Sequence, residues 1–84
     1  MEIIWTPKAL KQLSKLKNKA AQKRIVVAVR ALVDFPDTPG VKALTNHRRA
    51  YRLRVGDYRI LFDVFDQARI ISIEEVKKRD ERTY

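Results

Sequence analysis

The sequence predicts an α+β fold in which an N-terminal strand and a two-helix hairpin pack on one face of a small antiparallel sheet. Apolar residues recur at helical spacing as far as Asp34, and from about residue 50 they recur at every second position. The strand-like segments of the second half are joined by connections too short for anything but antiparallel pairing. Helices followed by consecutive strands are typical of an α+β domain, and 84 residues leave room for one core, so residues 1–84 form a single domain.

The N-terminal half predicts a strand followed by two helices. Residues 2–5 are mostly apolar, and Thr6 and Pro7 suit the N-cap and first turn of a helix. That helix should falter near residues 17–18, and a second should run to about Asp34, where prolines end it. The apolar stripes of the two helices are Leu10, Leu13 and Leu16, then Ile25, Val26, Val29, Leu32 and Val33. Residues 36–46 are predicted to be a loop.

Three strands are predicted at about residues 50–55, 58–65 and 69–76. A Gly56-Asp57 turn of type II′ joins the first two and places Arg54 opposite Arg59. If residues 66–67 form the second turn, Phe62 pairs with Ile71, Ile60 pairs with Ile73, and Arg59 lies next to Glu74. The face away from the helices then carries Arg52, Arg54, Arg59, Leu61, Asp63, Ile70, Ser72 and Glu74.

Composition limits the possible functions. The formal charge of +9 indicates an anionic partner such as nucleic acid, an acidic protein or an anionic membrane. No cysteine and one histidine make an ordinary metal site unexpected, and no cofactor motif is present. No apolar run reaches the roughly 20 residues of a membrane span. The N-terminus also lacks the basic segment followed by an apolar segment that is typical of a signal peptide. We therefore expect a cytoplasmic protein without a membrane partner.

Clustered arginines on one sheet face predict phosphate binding. Like charges opposite one another destabilise a sheet, and guanidinium groups bind phosphate bidentately while keeping their charge. Such a face could hold an RNA backbone and stabilise the charge that develops when a ribose 2′-hydroxyl attacks the adjacent phosphate without a metal. The alternative is that these arginines are simply solvated.

Two further basic regions are candidates for RNA contact. The first helical segments carry Lys8, Lys11, Lys15, Lys19 and Lys23, which would form one stripe on an unbroken helix or simply a solvated face. The C-terminal tail carries Lys78, Arg79, Arg82 and Tyr84 beside the arginine face, or is a frayed end. Predicted RNA-binding residues are Lys8, Lys11, Lys15, Arg49, Lys78 and Arg82.

The run Tyr51-Arg-Leu-Arg-Val-Gly-Asp-Tyr-Arg-Ile60, with Lys78-Arg79 and a downstream tyrosine, resembles the RelE/ParE toxin superfamily, particularly its RelE-like branch. The resemblance includes the order of strand, two helices and meander. It implies the toxin of a type II toxin–antitoxin system, which enters the ribosomal A site and cuts mRNA and is neutralised by a cognate antitoxin protein.

The resemblance also implies roles for five residues. Arg52 and Arg54 fall where the family has basic residues that contact RNA, and Arg59 resembles the arginine that stabilises the phosphate transition state. Arg79 is similar to an arginine near the leaving group, and Tyr84 to a tyrosine that orients the substrate. Arginine keeps its proton, so the general base is left open, with Glu74, Asp63, His47 or the substrate's surroundings as candidates.

Two other functions are consistent with the sequence. A ParE-like protein would inhibit DNA gyrase without being an enzyme, although such proteins usually lack the basic and tyrosine residues of the predicted site. A plain RNA-binding module would bind in a salt-sensitive way without cleavage.

Overall fold

The computed structural model describes residues 1–78, so the predicted site residues Arg79, Arg82 and Tyr84 lie outside the described residues. The elements in chain order are β1 (Glu2–Trp5), α1 (Pro7–Ser14), α2 (Lys19–Arg30), a 3₁₀ turn (Ala31–Asp34), β2 (Val41–Ala43), β3 (Tyr51–Val55), β4 (Tyr58–Phe65) and β5 (Ile70–Lys78). The five strands form one sheet in the order β1-β5-β4-β3-β2, in which β1 runs parallel to β5 and the other pairs are antiparallel. The predicted α+β fold is confirmed.

A polar side chain caps each helix, and the sequence predicts the first of these caps, Thr6. Thr6 Oγ1 accepts a hydrogen bond from Ala9 N at 3.1 Å and also donates to the Ile73 carbonyl at 2.9 Å, which ties the start of α1 to β5. Asn18 Oδ1 accepts a hydrogen bond from Ala21 N at 3.1 Å and caps α2. Because the chain is not helical between Ser14 and Lys19, the basic residues of these segments do not form one continuous helical stripe.

The predicted loop at 36–46 contains a short strand. Val41–Ala43 pairs with β3 and extends the sheet beyond the predicted meander. Three residues are too few to show an alternating pattern, and their pairing depends on a strand that follows later in the chain.

The predicted hairpin between β3 and β4 is present. Gly56 has a φ of +56°, as the predicted turn requires, and Arg54 pairs with Arg59.

The predicted register between β4 and β5 is wrong. Phe62 pairs with Ile73 and Ile60 with Val76, because the connection spans residues 66–69 rather than 66–67 and because a β-bulge interrupts the ladder. The bulge lies between Leu61 and Phe62 on β4, where the partner of Leu61 is Glu75 and Glu74 is the extra residue on β5. The predicted neighbour of Arg59 is therefore incorrect as well, since Arg59 pairs with Lys77.

The hydrophobic core lies between the helices and one face of the sheet. Its buried members are Ala9, Ile25, Val29, Leu32, Leu53, Ile60, Phe62, Ile71, Ile73 and Val76. The aromatic rings of Tyr51 and Phe62 stack at 5.5 Å, and Phe35 meets both rings edge-on. One sheet face is thereby covered and the other is left for polar side chains. Within residues 1–78, no helix is long and apolar enough to cross a membrane.

Candidate RNA-binding and cleavage site

A pocket of about 90 Å³ lies on the sheet face opposite the core, which we call the cationic pocket. Its lining residues are Leu44, His47, Arg52, Arg59, Leu61 and Lys77. The two leucines contribute apolar surface, and the other four side chains all carry N–H donors. A small cavity lined by several cationic donors is suited to holding one phosphate group.

Strand pairing brings the cationic side chains together from three strands. Arg52 on β3 pairs with Leu61 on β4, and Arg59 on β4 pairs with Lys77 on β5. Residues directly opposite one another in a ladder have Cβ atoms about 5 Å apart, so Arg59 and Lys77 are close neighbours. Arg54 also pairs with Arg59, but it is exposed and does not line the cationic pocket.

Arg52 is oriented by the turn that precedes β2. Its Nη1 donates a hydrogen bond to the Gly40 carbonyl at 3.0 Å. Gly40 has a φ of +85°, and a Cβ atom at this position would lie 3.1 Å from the Arg54 carbonyl oxygen. The glycine thus allows the turn to approach β3 closely enough to fix one end of the Arg52 guanidinium. Within residues 1–78, the other guanidinium nitrogens have no hydrogen-bond acceptor.

His47 enters the cationic pocket from the loop between β2 and β3. Its Nδ1 accepts a hydrogen bond from Arg49 N at 2.9 Å, so in the neutral imidazole the proton is on Nε2. His47 therefore offers a donor to a ligand and has no free lone pair for the role of general base that the sequence left open.

Arg49 belongs to the same loop and forms ion pairs with three carboxylates. Its Nη1 is 3.3 Å from Asp63 Oδ2 and 3.6 Å from Glu74 Oε1, and its Nε is 3.7 Å from Glu75 Oε2. The Ala50 backbone N also donates to Asp63 Oδ1 at 2.8 Å. The guanidinium predicted to bind RNA is thus directed into the sheet face, where it anchors the loop that carries His47.

Glu74, another candidate for the general base, interacts with Ser72 and Arg49. Its Oε2 accepts a hydrogen bond from Ser72 Oγ at 2.6 Å, and its Oε1 faces Arg49. Accepting a proton from a substrate would require Glu74 to give up this pairing. Both carboxylate oxygens of Glu74 therefore have partners, Oε1 with Arg49 and Oε2 with Ser72.

The sequence interpretation missed Glu75, which is only 7% exposed. Burial raises its pKa, but a hydrogen bond from Lys8 and the charges of Lys77, Lys8 and Arg49 outweigh burial and hold the pKa below its usual value. The bulge gives Glu75 its position on the polar face, since strict alternation would direct one of two consecutive glutamates into the core. The Glu74-Glu75 pair within an apolar strand is the signal that could have indicated the bulge.

The other predicted RNA-binding residues within the described range 1–78 lie outside the cationic pocket. Lys8 bonds to Glu75 at 3.3 Å, while Lys11 and Lys15 are exposed on α1 and at its C-terminus. Lys78 is exposed at the end of β5. In residues 1–78, no group of three or more His, Cys, Asp or Glu side chains is placed to hold a metal ion.

Replacing Arg49 should destabilise the protein, because three carboxylates would lose their shared counter-charge. We expect Arg49→Met to lower the free energy of unfolding by about 3 kcal/mol. Urea denaturation measures the change, and Arg48→Met is the matched control because Arg48 is exposed. Equal stabilities of the two variants would contradict the role of Arg49 as the anchor of the loop.

The depressed pKa of Glu75 predicts a pH dependence of stability. A carboxyl with a lowered pKa in the folded state contributes stability above its unfolded pKa of about 4.3, and the contribution is lost as pH falls through the folded value. Glu75→Gln should therefore be less stable than the unmodified protein at pH 7, by about 1–2 kcal/mol, and the difference should shrink between about pH 5 and pH 3. Urea denaturation across this range measures it. A difference that is constant with pH would show that the charge of Glu75 is not responsible.

Residues 3–83 match the family model described as the ParE toxin of type II toxin-antitoxin system, parDE. The protein is therefore a toxin of a type II toxin–antitoxin system. Because the match extends over nearly the whole chain, the protein belongs to the ParE toxin family, and the predicted membership of the RelE/ParE superfamily is confirmed.

Solved structures of RelE proteins share the fold. The archaeal RelE–RelB complex from Pyrococcus horikoshii OT3 contains a chain that is 26% identical, with a TM-score of 0.74 over 95% of this chain and 96% of that one. The toxin chain of the RelBE2 complex from Mycobacterium tuberculosis is 22% identical, with a TM-score of 0.76 over 93% of this chain and 96% of that one. The isolated E. coli RelE toxin is 17% identical, with a TM-score of 0.78 over 95% of this chain and 85% of the RelE chain. No curated protein sequence matches the chain significantly.

The family model names ParE, whereas these three similar solved structures are of RelE proteins, so the two comparisons point to different branches of the superfamily. The side chains of the cationic pocket are the feature that bears on the difference between them.

Proposed function

We propose that this toxin is a ribosome-dependent mRNA endoribonuclease that inhibits translation by metal-free cleavage. The observation that carries the proposal is the convergence of Arg52, Arg59, Lys77 and His47 on one small pocket of an otherwise uncovered sheet face. A gyrase inhibitor that only binds a protein surface does not require a pocket of phosphate size with four N–H donors.

The chemistry follows from the charges of the pocket. A scissile phosphodiester placed there would receive hydrogen bonds from the guanidinium groups of Arg52 and Arg59 and from Nε2 of His47. As the ribose 2′-hydroxyl attacks phosphorus, negative charge grows on the phosphoryl oxygens, and these fixed donors stabilise it more strongly than they stabilise the bound substrate. Arg54 would bind a neighbouring phosphate. The roles implied for Arg79 and Tyr84 by the superfamily resemblance complete the proposed site.

Alignment of the RNA strand is the second way in which the proposed site would accelerate cleavage. The 2′-hydroxyl of a flexible RNA rarely lines up with its own phosphate and leaving group, so holding the strand in that alignment lowers the barrier. Ribosome-bound mRNA in the A site supplies part of the alignment in this proposal, and the exposed basic residues Lys11, Lys15 and Lys78 would contact RNA around it. A toxin with this target acts in the cytoplasm.

We also propose a cognate antitoxin as partner. Two of the similar solved structures are RelE–RelB or RelBE complexes, and the formal charge of +9 favours an acidic partner segment over the basic face. Such a segment would block access of RNA to the cationic pocket. Inhibition of cleavage by the antitoxin would then weaken at high salt.

Gyrase inhibition is the second candidate function, and the observation that favours it is the family match itself, which names ParE. Against it stands the set of cationic residues on the open face, which ParE-like proteins usually lack. The two functions differ in target, so one pair of assays separates them.

The experiment is to assay the purified toxin for mRNA cleavage on programmed ribosomes, with 5′ ends mapped to the nucleotide, and for inhibition of DNA gyrase supercoiling. We expect cuts within the A-site codon on ribosomes, none on free mRNA and unchanged supercoiling. Inhibited supercoiling without mRNA cuts would support the ParE-like alternative and overturn the proposal. Salt-sensitive RNA binding with neither effect would instead indicate a plain binding module.

A further inference from the structure

We propose that Lys77 is the general acid of this cleavage and donates a proton to the 5′-oxygen of the leaving nucleotide. The inference rests on the proposed ribonuclease function and assigns a proton donor that neither the superfamily resemblance nor the sequence pattern identified. It follows from the position of Lys77 and from the chemistry of the other donors in the cationic pocket.

Lys77 reaches the cationic pocket because of the bulge in β5. The extra residue Glu74 shifts the ladder so that Lys77 lies opposite Arg59, on the uncovered face. Its side chain is about half exposed at 49%, and its Nζ lies 3.6 Å from Glu75 Oε1. The ammonium is thus fixed at one side by a buried carboxylate and is open to a ligand at the other.

The other donors of the cationic pocket are poor proton donors. The ordinary pKa of a guanidinium lies well above the value of about 10.4 for an ammonium group, so an ammonium releases its proton more readily. Neutral His47 would have to become an anion to give up the Nε2 proton, since its Nδ1 accepts from Arg49 N. Among the residues that line the cationic pocket, an ammonium is therefore the best available acid.

The step balances without any added reagent. The 2′-oxygen forms a bond to phosphorus while the bond between phosphorus and the 5′-oxygen breaks, which gives a 2′,3′-cyclic phosphate and a 5′-hydroxyl. The Lys77 ammonium supplies the proton of that hydroxyl, and a water molecule accepts the proton of the attacking 2′-hydroxyl. The neutral amine then regains a proton from water.

The charged groups that face Lys77 suit this cycle. Glu75 on its own strand forms an ion pair with the Lys77 ammonium, and Arg59 on β4 and Arg52 on β3 line the same pocket. His47 contributes an N–H donor from the loop between β2 and β3. A phosphate held by the two guanidinium groups would therefore lie beside the Lys77 ammonium, within reach of a proton donor.

The test uses a leaving group that needs no acid. Ribosome-bound mRNA is prepared with either the natural 5′-oxygen or a bridging 5′-sulfur at the mapped cleavage position, and a thiolate departs without protonation because an ordinary thiol has a pKa near 8.5. We expect Lys77→Ala to cut the oxygen substrate about 10²-fold to 10³-fold more slowly and to cut the sulfur substrate at nearly the unmodified rate.

Two controls accompany the test. Lys17→Ala removes the same charge from the exposed connection between α1 and α2 and should leave both rates unchanged. Lys77→Gln keeps a hydrogen-bond donor without an acidic ammonium, so it should behave like Lys77→Ala, and thermal unfolding verifies that each variant is folded.

Three results would overturn the inference in distinguishable ways. A Lys77→Ala variant that cuts the oxygen substrate normally shows that Lys77 has no role. A variant that is equally slow on both substrates shows that Lys77 only binds the phosphate. If the unmodified toxin cuts neither substrate, the proposed function itself fails, and the general acid fails with it.

Discussion

Replacing Arg52 and Arg59 together with alanine is expected to reduce ribosome-dependent cleavage by at least about 10³-fold and to abolish growth arrest. These two guanidinium groups approach the cationic pocket from adjacent strands, and each would contact the phosphoryl oxygens on which charge develops. Loss of a single fixed donor to such a transition state typically costs about 10²-fold to 10³-fold in rate, and the two losses need not add fully. Single-turnover rates on programmed ribosomes measure the effect.

The matched control removes two positive charges from the opposite side of the protein. Arg24 and Arg30 are exposed on α2, so Arg24→Ala with Arg30→Ala produces the same net charge without touching the cationic pocket. If both double variants lose activity equally, total charge rather than the pocket is responsible. Full toxicity of the Arg52 and Arg59 double variant would remove the pocket from the mechanism.

The largest expected loss of stability comes from Phe62→Ala. Phe62 has no exposed surface, stacks on Tyr51 at 5.5 Å and meets the edge of Phe35 at 5.9 Å between ring centroids. Truncation leaves a cavity among these rings and should lower the free energy of unfolding by about 3–5 kcal/mol. A domain of 84 residues has a small free energy of unfolding, so a loss of this size should leave the variant partly unfolded at 37 °C. Urea denaturation followed by circular dichroism measures the loss.

Phe65→Ala is the control for the same chemical change on the same strand. Phe65 lies three residues farther along β4 on the opposite face and is 53% exposed. Its truncation should change the unfolding free energy by less than about 1 kcal/mol. Comparable losses at the two positions would show that the core does not depend on the aromatic cluster as the structure indicates.

Local patterns in the sequence were sufficient for much of the fold. Thr6 marks the start of the first helix because its side chain satisfies a backbone N–H group three residues later, and the break predicted near residues 17–18 is where Asn18 caps the second. Gly56 marks the hairpin because it can adopt a positive φ, and that hairpin fixes the pairing of Arg54 with Arg59. The alternation of apolar residues also assigned the core face correctly, although the predicted register between β4 and β5 was wrong.

The sequence by itself thus determined the order of the elements other than β2, the sheet face that the helices cover and the clustering of arginines on the opposite face. Only the tertiary structure decided which side chains meet there, because a bulge and an added edge strand depend on pairing between distant segments. The bulge brings Lys77 opposite Arg59 and places Glu74 and Glu75 beside Arg49, which a strict two-residue period could not reveal. Periodicity assigns a side chain to a face, whereas its neighbours across the sheet are fixed by register, which depends on the whole fold.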